Sequence, residues 1–118
     1  VAPTPLASRF SDQRVLVVGD LVLDEYLIGR VSRLSREAPV PVLEQTRAEY
    51  VTGGAANPAV NIQSLGGRAV MAGLLGEDAA GLQLRELLVK RRVDLAGVIT
   101  DAGRMTTQKT RIVAEGAY

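Results

Sequence analysis

Gly-Gly-Ala-Ala-Asn-Pro-Ala occupies residues 53–59, and two further glycines follow at Gly66 and Gly76. Paired glycines let a backbone turn sharply and approach a ligand closely, because neither carries a Cβ atom. The run after them predicts a helix, and the free N–H groups of its first turn favour an anion or a sugar hydroxyl. Pro58 suits that first turn, where a missing N–H costs little. On its own, such a turn is more often purely structural than ligand-binding.

The segments around this turn predict an α/β fold built on a parallel sheet. Four apolar or β-branched runs are typical of strands, at residues 15–18, 69–75, 98–100 and 106–114. Two stretches with helical spacing predict helices, at residues 55–65 and 79–92. Asp78 is expected to cap the second helix. The order strand, insertion, helix, strand, helix, strand implies parallel strands joined by crossover helices.

An insertion of irregular character separates the first strand from the glycine turn. Residues 26–51 are too long for an ordinary strand-to-helix loop and are therefore expected to be functional. Pro39 and Pro41 cannot donate hydrogen bonds to a sheet ladder, so the segment reads as short extended pieces and turns. We expect edge strands or a β lid lying off the main sheet.

Composition excludes several classes of function. The 118 residues amount to one domain or less, with 47% hydrophobic residues, 3% aromatic residues and a net charge of +1. Few aromatic side chains and balanced charge argue against nucleic-acid binding and against attraction to an anionic membrane. Because the chain contains no cysteine and no histidine, disulfide scaffolds, thiolate catalysis and the common zinc sites are excluded.

The sequence also argues against a membrane-embedded or exported protein. Its longest apolar runs are far shorter than the ~20 residues that a membrane-spanning helix needs. The first twelve residues lack both the basic start and the apolar core of a signal peptide. A cytoplasmic protein is the expectation.

Two carboxylates follow the first strand. Asp20 and Asp24 lie just beyond it, and ligands of open parallel sheets bind outside the carboxyl ends of the strands. An ionised Asp accepts several hydrogen bonds and could hold sugar hydroxyls. The alternative for Asp20 is a turn-capping role. Asn57 has two interpretations as well, because it could cap the helix or reach a ligand.

A second polar constellation occupies residues 106–111, which read Thr-Thr-Gln-Lys-Thr-Arg. Strand alternation places Thr107, Lys109 and Arg111 on one face. Two neighbouring cations are costly unless they are solvated or face an anion. A phosphate on a ligand would satisfy both, Arg111 through a bidentate fork and Lys109 as a point charge. An exposed basic edge strand is the alternative.

Taken together, these motifs resemble a known family. Gly-Gly-x-x-Asn-x-Ala, six residues, Gly, nine residues, Gly is similar to the first signature of the ribokinase-like (PfkB) carbohydrate kinases. Residues 32–42, Ser-Arg-Leu-Ser-Arg-Glu-Ala-Pro-Val-Pro-Val, and residues 106–111 resemble the branch that acts on D-glycero-β-D-manno-heptose 7-phosphate. Kinases of that branch often form the N-terminal half of a bifunctional ADP-heptose synthase. Arg36 and Pro58 depart from its usual pattern, which favours Pro at the first position and another residue at the second.

The resemblance implies a ribokinase-like fold with an inserted β lid, and it implies roles for individual residues. It assigns sugar contacts to Asp24, Gly53, Gly54 and Asn57. Lys109 and Arg111 would hold the phosphate of a sugar phosphate. The lid, which carries Arg33, would cover the sugar and clasp a partner's lid in a homodimer. A solvated edge charge is the alternative for Arg33.

The implied reaction transfers the ATP γ-phosphate to the anomeric hydroxyl, with Mg²⁺ bridging the nucleotide. In that family the base and the anion hole belong to a later Gly-Ala-Gly-Asp motif, which this sequence lacks. Residues 1–118 are therefore expected to be the N-terminal part of one kinase domain, with no catalytic residue and no activity alone. The alternatives are a kinase of the same family for another sugar or a nucleoside, and a non-catalytic binding or dimerisation module.

Overall fold

A computed structural model describes residues 6–116 of the chain. Within that range six strands form two three-stranded sheets, accompanied by two α-helices. In chain order the elements are a 3-10 helix at Ala7–Asp12, β1 at Arg14–Val18, β2 at Leu21–Leu34, β3 at Pro41–Gly54, α1 at Ala56–Ser64, β4 at Arg68–Gly76, α2 at Ala79–Lys90, β5 at Asp94–Asp101 and β6 at Thr107–Glu115.

The core sheet has the order β1-β4-β5, and both of its pairings are parallel. This confirms the parallel α/β core predicted from the apolar runs. Strand β5 begins four residues earlier than predicted, since its first half carries Asp94 and Gly97 rather than an apolar run. Gly97 is needed there, because a Cβ atom would lie 2.7 Å from the Cβ atom of Ala72 on β4.

The hydrophobic core lies between the core sheet and the two helices. Its fully buried large side chains come from β2, β4 and α2, namely Leu23, Met71, Leu75, Leu84 and Leu88. Helix α1 contributes small residues, which lets it approach the sheet closely. The opposite face of the sheet is exposed, including Leu16 and Ile99.

Helix α1 ends and helix α2 begins where their sequences predict. The residue after the α1 C-cap, Gly66, has φ +93°, a left-handed conformation that glycine adopts without steric cost. Asp78 precedes α2, and its carboxylate accepts a hydrogen bond from the Gly81 N–H at 2.7 Å. The capping role predicted for Asp78 is therefore confirmed.

The second sheet, which we call the lid sheet, has the order β3-β2-β6. Strands β2 and β3 are antiparallel and 14 residues long each. The expectation of short pieces and turns over residues 26–51 was therefore wrong. Pro39 lies in the connection and Pro41 is the first residue of an edge strand, where neither proline interrupts the ladder.

Strand β6 belongs to the lid sheet, which corrects the prediction that it would be a fourth strand of the core sheet. It pairs in parallel with β2 without interruption, from Val22 opposite Thr107 to Arg30 opposite Glu115. The physical reason is its composition. Polar side chains project from both faces of β6, so the strand cannot be buried on both faces in a parallel core.

Candidate functional site

The glycine turn lies where the two sheets meet. Gly54 has φ +56°, and a Cβ atom on it would collide with the carbonyl oxygen of Asp20. That carbonyl accepts a hydrogen bond from the Ala55 N–H at 2.8 Å, which ties the start of α1 to the end of β1. The turn therefore opens the helix at the carboxyl end of the core sheet, as the sequence predicted.

Gly53 makes room for a carboxylate. It is buried, and a Cβ atom on it would lie 2.5 Å from Oδ2 of Asp24. Only a residue without a side chain lets the carboxylate rest against the backbone at this place. The structure thus brings Gly53, Gly54 and Asp24 together.

Asp24 is the centre of an ion-pair cluster. Its Oδ1 atom lies 2.9 Å from Nζ of Lys109 and 3.2 Å from Nη1 of Arg111. Arg111 also donates to the Tyr26 hydroxyl at 3.1 Å, and its guanidinium lies 5.2 Å from the centre of that ring. The one-face arrangement predicted for the two cations is confirmed, and Tyr26 joins them.

The charges of this cluster do not balance. The Asp24 side chain is 13% exposed, whereas those of Lys109 and Arg111 are 53% and 44% exposed. One carboxylate therefore faces two cations, and the cations retain donors that point to solvent. The cluster carries one excess positive charge and can accept an anion.

Asn57 lies in the first turn of α1 and is exposed. The N-cap residue of α1 is Ala55, which has helical backbone angles and makes no side-chain capping hydrogen bond. The capping alternative for Asn57 was wrong, because the residue lies inside the helix instead of before it. Its side chain stays a candidate ligand contact, one turn beyond Gly54.

Asp20 lines a cavity of about 170 Å³ between the ends of β1 and β4, together with Gly73, Arg104 and Thr107. The side chains of Asp20 and Arg104 are both exposed and carry opposite charges. The bond that steadies the turn here is made by the Asp20 backbone carbonyl. Sequence reasoning missed Arg104, which follows β5 in a turn and belongs to no motif.

Arg33 does not join the cluster. It is exposed near the outer end of β2, beside a register shift in the β2–β3 pairing. Nine residues separate it from Asp24, and at the rise of an extended strand they span roughly 30 Å. It lies in the lid sheet, as the sequence predicted.

The opposite face of the lid sheet carries a second network, which sequence reasoning also missed. The Glu25 carboxylate accepts hydrogen bonds from Nε2 of Gln108 at 2.7 Å and from Oγ1 of Thr110 at 2.6 Å. The Thr110 bond is the largest cause that lowers the pKa of Glu25. The same carboxylate accepts a bond from the Tyr50 hydroxyl, which raises the pKa of Tyr50. No local pattern marks this network, because its members lie on three strands.

A third set of bonds anchors the start of β6. Thr106, which is buried, accepts a hydrogen bond at Oγ1 from the Gly76 N–H at 2.8 Å. Its own N–H donates to Oδ2 of Asp78 at 2.8 Å, and this bond is the main cause that lowers the pKa of Asp78. The ends of β4, α2 and β6 are therefore tied together.

Residues 6–116 contain no group of three or more acidic, histidine or cysteine side chains able to hold a metal ion. Among the same residues no helix is both long and apolar enough to cross a membrane.

Comparison with known proteins identifies the family. Residues 12–118 match the pfkB family carbohydrate kinase model. The chain is 49% identical over 110 residues to the bifunctional protein HldE of Nitrobacter winogradskyi and 47% identical over 103 residues to that of Helicobacter pylori strain P12. The alignments cover 93% and 87% of the chain, which spans 22% of the length of either relative.

Solved structures share the fold. The ribokinase of Cryptococcus neoformans in complex with ADP aligns with a TM-score of 0.63 at 23% identity, over 90% of this chain and 32% of that one. Fructokinase from Halothermothrix orenii aligns with a TM-score of 0.61 at 26% identity, over 85% of this chain and 33% of the other. The ribokinase-like fold predicted from the sequence is confirmed. With its motif, its sheet topology and the match over residues 12–118 in agreement, the chain belongs to the pfkB family of carbohydrate kinases.

Proposed function

We propose that the protein is an ATP-dependent kinase that phosphorylates the anomeric hydroxyl of heptose 7-phosphate. The observation that carries the proposal is the cluster in which Lys109 and Arg111 share the single carboxylate of Asp24. A neutral sugar carries no negative charge for two half-exposed cations to bind, whereas a phosphate group can bind both. Similarity to the HldE proteins over nearly the whole chain supports the same branch of the family.

In this proposal the chain supplies the sugar pocket and the lid. Asp24 accepts hydrogen bonds from sugar hydroxyls, and the backbone at Gly53 and Gly54 lies close enough to contact the ring. Asn57 adds an amide from the first turn of α1. Asp20 borders the neighbouring cavity and offers a further hydroxyl acceptor. All of these groups lie near the carboxyl end of the core sheet, so a single bound sugar could contact them together.

The remaining parts of the reaction belong elsewhere in the proposed kinase. Residues 1–118 would form the N-terminal part of one kinase domain, in line with the 22% of the relatives' length that the chain spans. ATP, Mg²⁺ and the general base would bind or lie in the rest of the domain, so that this part alone is inactive. The solved structure of a sugar kinase from Pyrococcus horikoshii in complex with ATP, 28% identical to this chain, supports nucleotide use.

The lid sheet supports a proposed homodimer. Its outer end, which carries Arg33, lies beyond the last β2–β6 partner, Arg30, and is an antiparallel β2–β3 pair whose two edges are both unpaired among the described residues. A second copy that pairs with or packs against this end would cover the exposed side chains there. We propose a cytoplasmic location, where ATP is available, and no nucleic-acid or membrane partner.

The proposal is tested by measuring ATP consumption by the full-length protein with heptose 7-phosphate, fructose 6-phosphate and ribose. A strong preference for heptose 7-phosphate is expected. Preference for another sugar would replace the substrate and keep the kinase, an alternative favoured by the structural likeness to a fructokinase. Absence of turnover with all three would favour a non-catalytic binding module and would overturn the proposed reaction.

A further inference from the structure

Two adjacent carboxylates on β2 hold β6 from its two faces. On one face Asp24 contacts Lys109 and Arg111. On the other face Glu25 accepts hydrogen bonds from Gln108 and Thr110. Each carboxylate thus contacts two alternate residues of the same strand, and together they engage four consecutive positions.

Apart from the contact of Arg111 with Tyr26, few other side-chain contacts fix the middle section of β6. It is an edge strand that pairs only with β2, and every side chain from residue 107 to residue 113 is exposed. Register is weakly specified where both faces of a strand are polar, because no apolar pattern favours one pairing over the next. A local shift by one residue would turn Lys109 and Arg111 to the opposite face.

The ends of β6 are anchored independently of its middle. Thr106 is bonded to Gly76 and Asp78 before the strand begins, and Glu115 lies 2.7 Å from Nη2 of Arg47 where it ends. A bulge on β6 together with a compensating bulge on β2 would leave both anchors in place while reorienting the residues between them. The same β2 strand already shows two such shifts against β3, yet none against β6.

Binding of a sugar phosphate would weaken the contacts that hold β6 on one face of the lid sheet and leave those on the other face unchanged. If Lys109 and Arg111 contact the phosphate and Asp24 contacts hydroxyls, the ion pairs that hold β6 on that face are shared with the ligand. The bonds of Glu25 are unaffected, because they lie on the face turned away from the ligand. In the bound state Glu25 still holds the middle of β6 in register from the face turned away from the ligand.

We propose that Glu25 is a positioning residue for substrate binding, which keeps Lys109 and Arg111 on the face of the lid sheet that receives the sugar phosphate. This inference rests on the proposed function of that cluster. It predicts that the loss of Glu25 weakens binding of the phosphorylated sugar without disabling the transfer step. Glu25 itself touches neither substrate nor nucleotide.

The test compares Glu25→Ala and Glu25→Gln in the full-length protein. Glu49→Ala is the matched control, since Glu49 is a carboxylate of the same sheet whose ion pair joins it to Arg47 of its own strand. We expect Glu25→Ala to raise the KM for heptose 7-phosphate about tenfold or more while kcat stays within about twofold. Glu25→Gln should recover most of the affinity, because its amide oxygen still accepts a hydrogen bond. Glu49→Ala should leave both constants unchanged.

A second measurement does not depend on the substrate. Amide hydrogen exchange over residues 108–112 should be faster in Glu25→Ala than in the parent protein and in Glu49→Ala. Unchanged exchange would overturn the positioning role whichever sugar the enzyme uses. Faster exchange with no turnover of heptose 7-phosphate by the parent protein would instead overturn the proposed function alone. A parallel fall of kcat and melting temperature that Glu25→Gln does not rescue would reduce Glu25 to a structural residue and would also refute the inference.

Discussion

Replacing both Lys109 and Arg111 by Ala tests the phosphate site most directly. In the free protein both cations contact one carboxylate, and about half of each side chain is exposed. The substitution removes the groups proposed to bind the substrate phosphate and leaves Asp24 in place. It should therefore weaken binding of a phosphorylated sugar far more than binding of the same sugar without its phosphate.

The expected magnitude follows from the number and exposure of the contacts. A hydrogen bond to a charged group contributes about 1.5–3 kcal/mol, and the half-exposed side chains call for the lower end of that range. Two such contacts together amount to about 3 kcal/mol, or about a hundredfold in the dissociation constant. The unpaired Asp24 carboxylate would also repel the phosphate, which makes this figure a lower bound.

The assay is direct binding of heptose 7-phosphate and of unphosphorylated heptose to the full-length protein, at low and at high salt. Arg30→Ala is the matched control, because Arg30 is an exposed cation of the same sheet that lies six residues along β2 from Asp24 and outside the cluster. The melting temperature should fall, because the Asp24 side chain is only 13% exposed and loses both of its ion-pair partners. Salt should weaken binding in the parent protein and have a smaller effect in the double variant.

Two results would refute the reasoning. Equal losses for the phosphorylated and unphosphorylated sugars would show that the cations serve the sugar ring or the fold and have no phosphate to bind. A loss of the same size in Arg30→Ala would show that the effect comes from the general charge of the lid sheet.

Three further predictions concern the same region. Asp24→Asn should lower kcat/KM about tenfold to a hundredfold, measured by steady-state kinetics, because the amide keeps one acceptor and loses the charge that attracts hydroxyls. Gly54→Ala should lower the melting temperature much more than Gly66→Ala, since both have positive φ but only at Gly54 would a Cβ atom meet backbone. Acid should destabilise the fold through Asp78. Its lowered pKa stabilises the folded state above the ordinary Asp value of about 3.9, and that contribution is lost as the pH falls below it. Asp78→Asn, followed by urea unfolding between about pH 5 and about pH 2, should show a smaller loss.

Each of these has an outcome that would contradict it. Unchanged kinetics in Asp24→Asn would remove the carboxylate from the sugar site. Equal melting temperatures for the two glycine variants would mean that the turn at residues 53–54 can shift to admit a side chain. Parallel acid unfolding of the parent protein and Asp78→Asn would show that the capping bond to Gly81 and the bond to Thr106 do not depend on charge.

Features with a local signal could be predicted from the sequence. The glycine turn depends on residues that are neighbours in the chain, and so does the cap at Asp78. The apolar runs of β1 and β4 predicted neighbouring strands of a parallel sheet, which is confirmed. The burial on both faces that is typical of such runs is not found for β1, since four of its five residues are exposed. The one-face arrangement of Lys109 and Arg111 followed from strand alternation alone.

Features that depend on pairing partners could not be predicted in the same way. No local property of β6 indicates that it pairs with β2. The polar residues on both of its faces are unfavourable in a core sheet, but they do not identify its neighbour. The length of β2 and β3 was hidden by Pro39 and Pro41, whose effect depends on whether they fall inside a ladder or at its start. Glu25 and Arg104 belong to no motif, and only the assembled sheets show what they contact.

The pairing of β6 with β2 places the residues proposed to bind the phosphate next to the carboxylate proposed to bind the sugar. Asp24 and Arg111 are 87 residues apart, and the parallel pairing of β2 with β6 places them side by side. One oxygen of Asp24 contacts both cations, and the other lies against Gly53, so a neutral sugar finds the carboxylate already engaged. A phosphate dianion competes for the cations and thereby frees the carboxylate for hydroxyls. Under the proposed function, discrimination against unphosphorylated sugars then arises from this competition, because only a phosphorylated sugar releases the carboxylate from both cations.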